Sequence, residues 1–343
     1  MRIGMFALAA QFPGQGQGEV LHRTVRSAEV AEEVGLDCVW LAEHHFVPYG
    51  VCPSAVTLAA VLLGRTRRIR VGTAVSVLPT VHPVALGEQT ALLHLTSGGR
   101  FTLGVGRGGP WVDLEVFGAG LEAYEKGFPD SLDLLLRWLR EPVVGACGER
   151  FAFREVAVVP RPDELLDGPP AGPEVVVACT SPTSVRLAAE RGLPMLLGMH
   201  CGDDDKAAMV DLWRRTARAA GRPPDEIAAA GHVSAGVAQI ADSAAEAGET
   251  LLKVMPGWFK QGLDAHVTVD GRVRAMRDPL AYTELLCGLH PVGPPRLAAD
   301  RIAATAERTG IRRFALLAEG SGDLAATEEN VRRLGEDVLP LLA

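Results

Sequence analysis

Short apolar runs alternate with longer stretches of helical spacing from the first residues onward. Residues 2–8 (RIGMFAL) read as a buried strand, and a glycine-rich loop follows. Residues 19–34 then place Val20, Leu21, Val25, Ala28 and Val34 at helical intervals, with Gly35 where a helix end favours glycine. Residues 38–42 (CVWLA) form a second strand, 54–63 (SAVTLAAVLL) a second helix and 69–78 (IRVGTAVSVL), rich in β-branched residues, a third strand. A helix over 83–95 and a strand over 100–106 complete four units.

The repeat is strand, loop, helix at about 30–35 residues, the length of a right-handed parallel crossover. It resumes with strands at 174–178, 195–198, 231–238 and 313–318. About eight such units predict a TIM (β/α)8 barrel, read here as a single domain over 1–343. Two stretches break the rhythm and are expected to be insertions. Residues 142–173 are rich in Pro and Gly around a short hairpin, and residues 256–296 mix Pro, Gly and Arg with isolated apolar positions.

Composition narrows the function. Lys and Arg number 34 against 42 Asp and Glu, a net charge of −8, so no basic field is present to hold nucleic acid or anionic lipid. The longest apolar stretch, 55–63, is far short of the roughly 20 residues that span a bilayer. The N-terminus lacks a long apolar core followed by a cleavage site, so a cytoplasmic protein is expected. Six scattered cysteines without a C-x-x-C pair point to free thiols rather than disulfides, and no His, Cys or acidic cluster stands at metal-ligand spacing.

Three motifs fall after predicted strands, on the functional face of such a barrel. The second strand ends in WLAEHHF, where Glu43, His44 and His45 leave the core. Adjacent residues of an extended chain point to opposite sides, so at most one imidazole is expected to face a cavity. The fourth strand ends in GVGRGG (104–109), a literal G-x-G-x-x-G. Its place in the chain and the Pro110–Trp111 that follows are wrong for a dinucleotide fold. Its glycines instead allow close approach of a planar ligand, and Arg107 offers a fork suited to phosphate. The fifth strand is followed by CTSPTS (179–184), with Ser181 as N-cap and Pro182 opening a helix, an arrangement that caps helices and also binds phosphate.

On these residues the chain resembles the bacterial luciferase-like flavin monooxygenase family, most of all its alpha-subunit branch. LDCVWLAEHHF (36–46), VGTAVSVLPTVHPV (71–84), SGGRFTLGVGRG (97–108), RGLPMLLG (191–198) and HPVGPP (290–295) carry the likeness in order along the whole chain. The resemblance implies FMN at the C-terminal strand ends. Its phosphate would be held by Arg107 with Thr180, Ser181 and Ser184, and its ring would lie against Ala74, Val75 and Ser76, where a non-proline cis peptide is typical. It also implies His44 as acid/base, His45 as a less certain partner, Glu43 orienting a ring, and helices 54–63 and 83–95 as a dimer interface. The implied reaction uses reduced FMN from a separate reductase and O2, through a flavin 4a-hydroperoxide, to oxygenate a small organic substrate. A deazaflavin-dependent dehydrogenase or reductase and a non-catalytic flavin-binding partner subunit stand as alternatives. Departures from the family pattern are Gly106 for a cysteine, Gly109–Pro110 for Leu-Tyr, Met199 for a flavin-flanking tryptophan, and a shorter lid between 256 and 290. They bear on the substrate.

Overall fold

In the computed structural model, which describes residues 1–167, 171–272 and 277–342, eight apolar segments form one closed parallel sheet. They are β1 (Arg2–Ala7), β2 (Cys38–Leu41), β3 (Arg70–Thr73), β4 (Phe101–Gly106), β5 (Glu174–Cys179), β6 (Met195–Leu197), β7 (Val233–Val237) and β8 (Arg313–Leu317). Each pairs with the next, and β8 closes on β1. Helices on the outside connect the strands, so the fold is a TIM barrel.

The two-residue alternation of a strand divides the core. Ile3, Met5, Val39, Leu41, Val71, Leu103, Val105 and Leu316 face the helices. Phe6, Cys38, Trp40, Val176, Leu196, Ala315 and Leu317 face the barrel interior. Trp40 fills much of that interior because its neighbour is glycine: a Cβ at Gly72 would lie 2.6 Å from the indole. Below it Arg313 forms a double contact with Glu174, at 2.5 and 3.0 Å, and Arg70 stands 3.5 Å from the same carboxylate.

The third strand departs from the continuous 69–78 run expected from the sequence. Its ladder stops at Thr73, a cis peptide joins Ala74 to Val75, and pairing resumes at Ser76–Val77. Across the break the Thr73 hydroxyl substitutes for the missing ladder, donating to Gly104 O at 2.6 Å and accepting Gly104 N–H at 2.9 Å.

Of the two expected insertions, 142–173 contains an antiparallel hairpin, Val143–Cys147 with Ala152–Ala157. The 256–296 stretch is more regular than its composition suggests. Pro256 lies inside the helix Ala244–Asp264, and a second helix spans Pro279–Leu289. Residues 168–170 and 273–276 of these stretches, and residue 343, fall outside the described residues. No helix among the described residues is long and apolar enough to cross a membrane.

Two outcomes follow for stability. At Gly104 a methyl group would fall on the Thr73 carbonyl oxygen, so Gly104→Ala is expected to cost roughly 1–3 kcal/mol. The check is the urea midpoint, and an unmoved midpoint would refute tight coupling at the break. The second concerns His232, buried edge-on to Trp213 at 4.7 Å, whose Nδ1 accepts the Met195 N–H at 3.0 Å. Burial first, then repulsion from Arg214 and Arg313, pushes its pKa down to about 4. Above about pH 6.5 the imidazole is neutral folded or unfolded and contributes nothing to pH dependence. From there down to about 4 the unfolded chain takes up a proton that the folded one refuses, so stability falls. His44 and His290, lowered to about 3 and about 4, act in the same sense. Urea midpoints should therefore drop over this window, and less steeply in His232→Asn, which keeps an acceptor near the Nδ1 position. An identical slope in the variant would assign the proton uptake to other groups.

Candidate active site

Above the C-terminal strand ends lies a cavity of about 540 Å³. The chain places Glu43, His44 and His45 there by ending β2 at Leu41 and then bending, with Phe46 at a left-handed φ of +63°. Because the backbone is no longer extended, both imidazoles line the cavity. The expectation that at most one would do so is corrected for that reason.

Glu43 acts on the backbone around it. One carboxylate oxygen accepts the N–H of Ala55 at 3.0 Å, at the start of the helix Ala55–Arg65, and the other accepts Val77 N–H at 2.9 Å. A carboxylate is favoured at a helix N-terminus. The second oxygen also stands 3.8 Å from His45 Nε2, while it holds the end of the interrupted third strand.

His44 is held from three sides. Its backbone N–H donates to Cys52 O at 2.9 Å, its ring meets Tyr49 edge-on at 5.0 Å, and a Cβ on Gly50 would stand 2.7 Å from its Nδ1. Nδ1 is buried and unpartnered. Burial, reinforced by His266 and His45, pushes its pKa down to about 3, so the ring is neutral at physiological pH. His45 packs against Phe117 at 4.9 Å and Phe46 at 5.8 Å, and its Nε2 has no hydrogen-bond partner.

Several lining residues were not evident from the sequence. Asp113 opens a short helix after β4, and burial raises its carboxyl pKa against the opposing pull of its own backbone contact and of His45 and His266. His266 comes from the 256–296 stretch. Its Nδ1 hydrogen-bonds Gly262 O at 2.9 Å, and its ring meets Trp111 at 4.7 Å. The segment carrying it is stitched over the site by Val112 N–H to Val267 O and Val269 N–H to Pro110 O, each 2.9 Å. Only a lone His in an irregular stretch and an acid seven residues after Gly106 marked these positions in the sequence. Neither carries a spacing signal.

On the opposite wall Met199 lines the cavity and its carbonyl accepts His290 Nε2 at 2.6 Å. Behind it the buried Lys206 donates to Ser234 Oγ at 2.9 Å and Ala235 O at 3.0 Å, and burial lowers its pKa to about 8. Among the described residues no group of three His, Cys, Asp or Glu is placed to hold a metal ion.

A second pocket of about 330 Å³ opens beside the first. The two share Val75, Gly108, Ala178 and Thr180 in their walls, so they are adjacent. Gly106, Arg107, Thr180, Ser181 and Ser184 line this second part, with the Arg107 guanidinium 4.2 Å above the Tyr124 ring. Ala74 and Val75 line the first part. Ser76 does not: beyond the break its side chain turns into the barrel wall, 2% exposed, and its hydroxyl finds no partner. The Ser184 hydroxyl is also engaged, accepting the N–H groups of Thr180 and Ser181 at 3.2 Å each.

A large, mostly apolar chamber with unpartnered imidazole nitrogens, beside a smaller chamber with a guanidinium and hydroxyls, fits a flat heteroaromatic ring carrying a phosphorylated tail. The family model for luciferase-like monooxygenases matches residues 1–313. The alkanal monooxygenase alpha chain of Photorhabdus luminescens is 28% identical over 359 aligned positions, covering 100% of this chain and 97% of that protein. Among solved structures, the monooxygenase RslO1 of Streptomyces bottropensis superposes with a TM-score of 0.83 at 23% identity, covering 100% of each chain. The oxygenating constituent of 3,6-diketocamphane monooxygenase of Pseudomonas putida, in complex with FMN, gives 0.76 at 22% identity over 100% and 99%. An F420-dependent secondary alcohol dehydrogenase gives 0.75 at 16%, over 100% and 99%. The chain therefore belongs to the luciferase-like monooxygenase family.

Proposed function

We propose that this protein binds reduced FMN, delivered by a separate reductase, and uses O2 to oxygenate a small organic substrate. The observation that carries the reading is that the cavity of the two histidines and the Arg107 pocket lie side by side, with Val75, Gly108, Ala178 and Thr180 lining both. In that arrangement Arg107 and the hydroxyls near Thr180 would hold the phosphate, while Ala74, Val75, Gly108 and Met199 would flank the ring. When bound, the reduced flavin supplies the electrons that activate O2.

The chain's own residues then set the proton chemistry. His44 turns Nδ1 toward Gly50 and away from the main cavity, which leaves Nε2 as the atom that exchanges protons with substrate. Its depressed pKa keeps it neutral and able to accept a proton at pH 7. His45, fixed by Glu43 and Phe117, is the second polar group on that wall. The roof formed by Trp111 and His266 excludes water, which protects a reactive oxygenating agent from breakdown.

FMN is favoured over a deazaflavin because Arg107 is the one cationic side chain lining the smaller pocket, and a longer anionic tail calls for more. A non-catalytic subunit is disfavoured by the retained imidazoles. Six cysteines free of disulfides suit a reducing cytoplasm.

Titration with FMN, reduced FMN and a deazaflavin tests the reading, and tight deazaflavin binding without FMN binding would reverse it. His44→Ala should keep flavin affinity and lose roughly 10²- to 10⁴-fold in turnover. Arg107→Ala should weaken FMN by about 1.5–3 kcal/mol. Normal turnover in His44→Ala would remove that residue's assigned role. We also propose a homodimer through the helices Ala55–Arg65 and Pro83–Thr96, on which Val61 and Leu92 are 45% and 55% exposed. Sedimentation at micromolar concentration should give twice the chain mass, and a monomer would contradict it.

A further inference from the structure

The pocket beside Arg107 carries its own counter-charge. Glu125 lines it together with Arg107 and Tyr124. The carboxylate and the guanidinium make no ion pair with each other: Arg107 lies over the Tyr124 ring at 4.2 Å instead. Glu125 and Arg107 therefore both line the space that would receive an anion, without an ion pair between them.

Three backbone donors of the pocket are already engaged. Thr180 and Ser181 N–H both go to Ser184 Oγ, and Ser184 N–H goes to Ser181 Oγ at 3.3 Å. Pro182, the first helical residue, has no N–H to give. What remains for an anion is the Arg107 fork, the hydroxyls of Thr180 and Thr183, and backbone N–H groups such as that of Thr183 in the first helical turn. A phosphate placed here gains from one charge and loses to the other, and part of that balance is screened by solvent because Arg107 and Glu125 are both exposed.

We infer that Glu125 sets the flavin affinity of this site: it offsets Arg107, so that the ring rather than the phosphate supplies most of the binding and the flavin exchanges readily. This rests on the flavin reading above and names the residue that tunes it. A flavin that must arrive reduced from another protein and leave oxidised is served by such a pocket, since a strongly cationic one would retain it.

Equilibrium titration of the full chain with FMN and with riboflavin, at low and high salt, tests this without reference to turnover. Wild-type protein should prefer FMN over riboflavin by less than about tenfold. Glu125→Gln should tighten FMN by about two- to fivefold, the range of a partly exposed charge pair, and leave riboflavin unchanged. Arg107→Ala, with Glu125 left alone against the phosphate, should invert the preference so that riboflavin binds better. High salt should compress all these differences. The inference is overturned if Glu125→Gln leaves FMN affinity where it was or moves both ligands alike. If neither flavin binds any of the three proteins, the flavin reading itself fails and this inference falls with it.

Discussion

The carboxylate of Glu43 fixes where the upper face of this barrel stands. It leaves the end of β2 and accepts one backbone N–H from the helix Ala55–Arg65 and another from Val77, beyond the break in the third strand. The end of β2, the start of that helix and the resumed third strand are thereby tied together. Removing it would leave two nearly buried amides without acceptors, each a loss of about 1–3 kcal/mol. The histidines depend on this brace. His45 lies against the same carboxylate, and His44 follows directly along a backbone whose course Glu43 sets.

The barrel itself was legible because its strands are short, apolar and bounded by turn residues, and each predicted strand overlaps an observed one. Its failures are informative. Residues 69–78 read as one strand since every position suits a sheet, and nothing in their polarity marks where pairing stops at Thr73. Ser76 is named as a flavin contact only by the family resemblance, and its side chain is 2% exposed and lines neither pocket. The two-histidine rule failed because alternation holds only while the chain stays extended, and the chain bends at His45.

The cavity's other residues were hidden for a different reason. Asp113, His266 and Tyr49 come from three loops far apart in sequence, and their convergence is a property of the closed barrel and not of any local pattern. A stretch with mixed Pro, Gly and Arg was read as irregular, although Pro256 is tolerated within the helix Ala244–Asp264. Trp258 on that helix stacks on Tyr49 at 4.8 Å, and Tyr49 in turn meets His44. The stretch read as irregular thus supports the first histidine through two aromatic contacts.

Taken together, the charges around the two chambers are arranged in opposite ways. In the larger chamber burial strips charge from the imidazoles: His44 is held neutral, His266 is lowered, and Asp113 is raised. Arg107 and Glu125, both exposed, line the smaller chamber, and Arg107 is its one cation among the described residues. Neither chamber offers a strong electrostatic grip. Under the proposed function, apolar contact along Ala74, Val75, Ala178 and Met199, which line the larger chamber, then contributes much of the hold on a flavin ring.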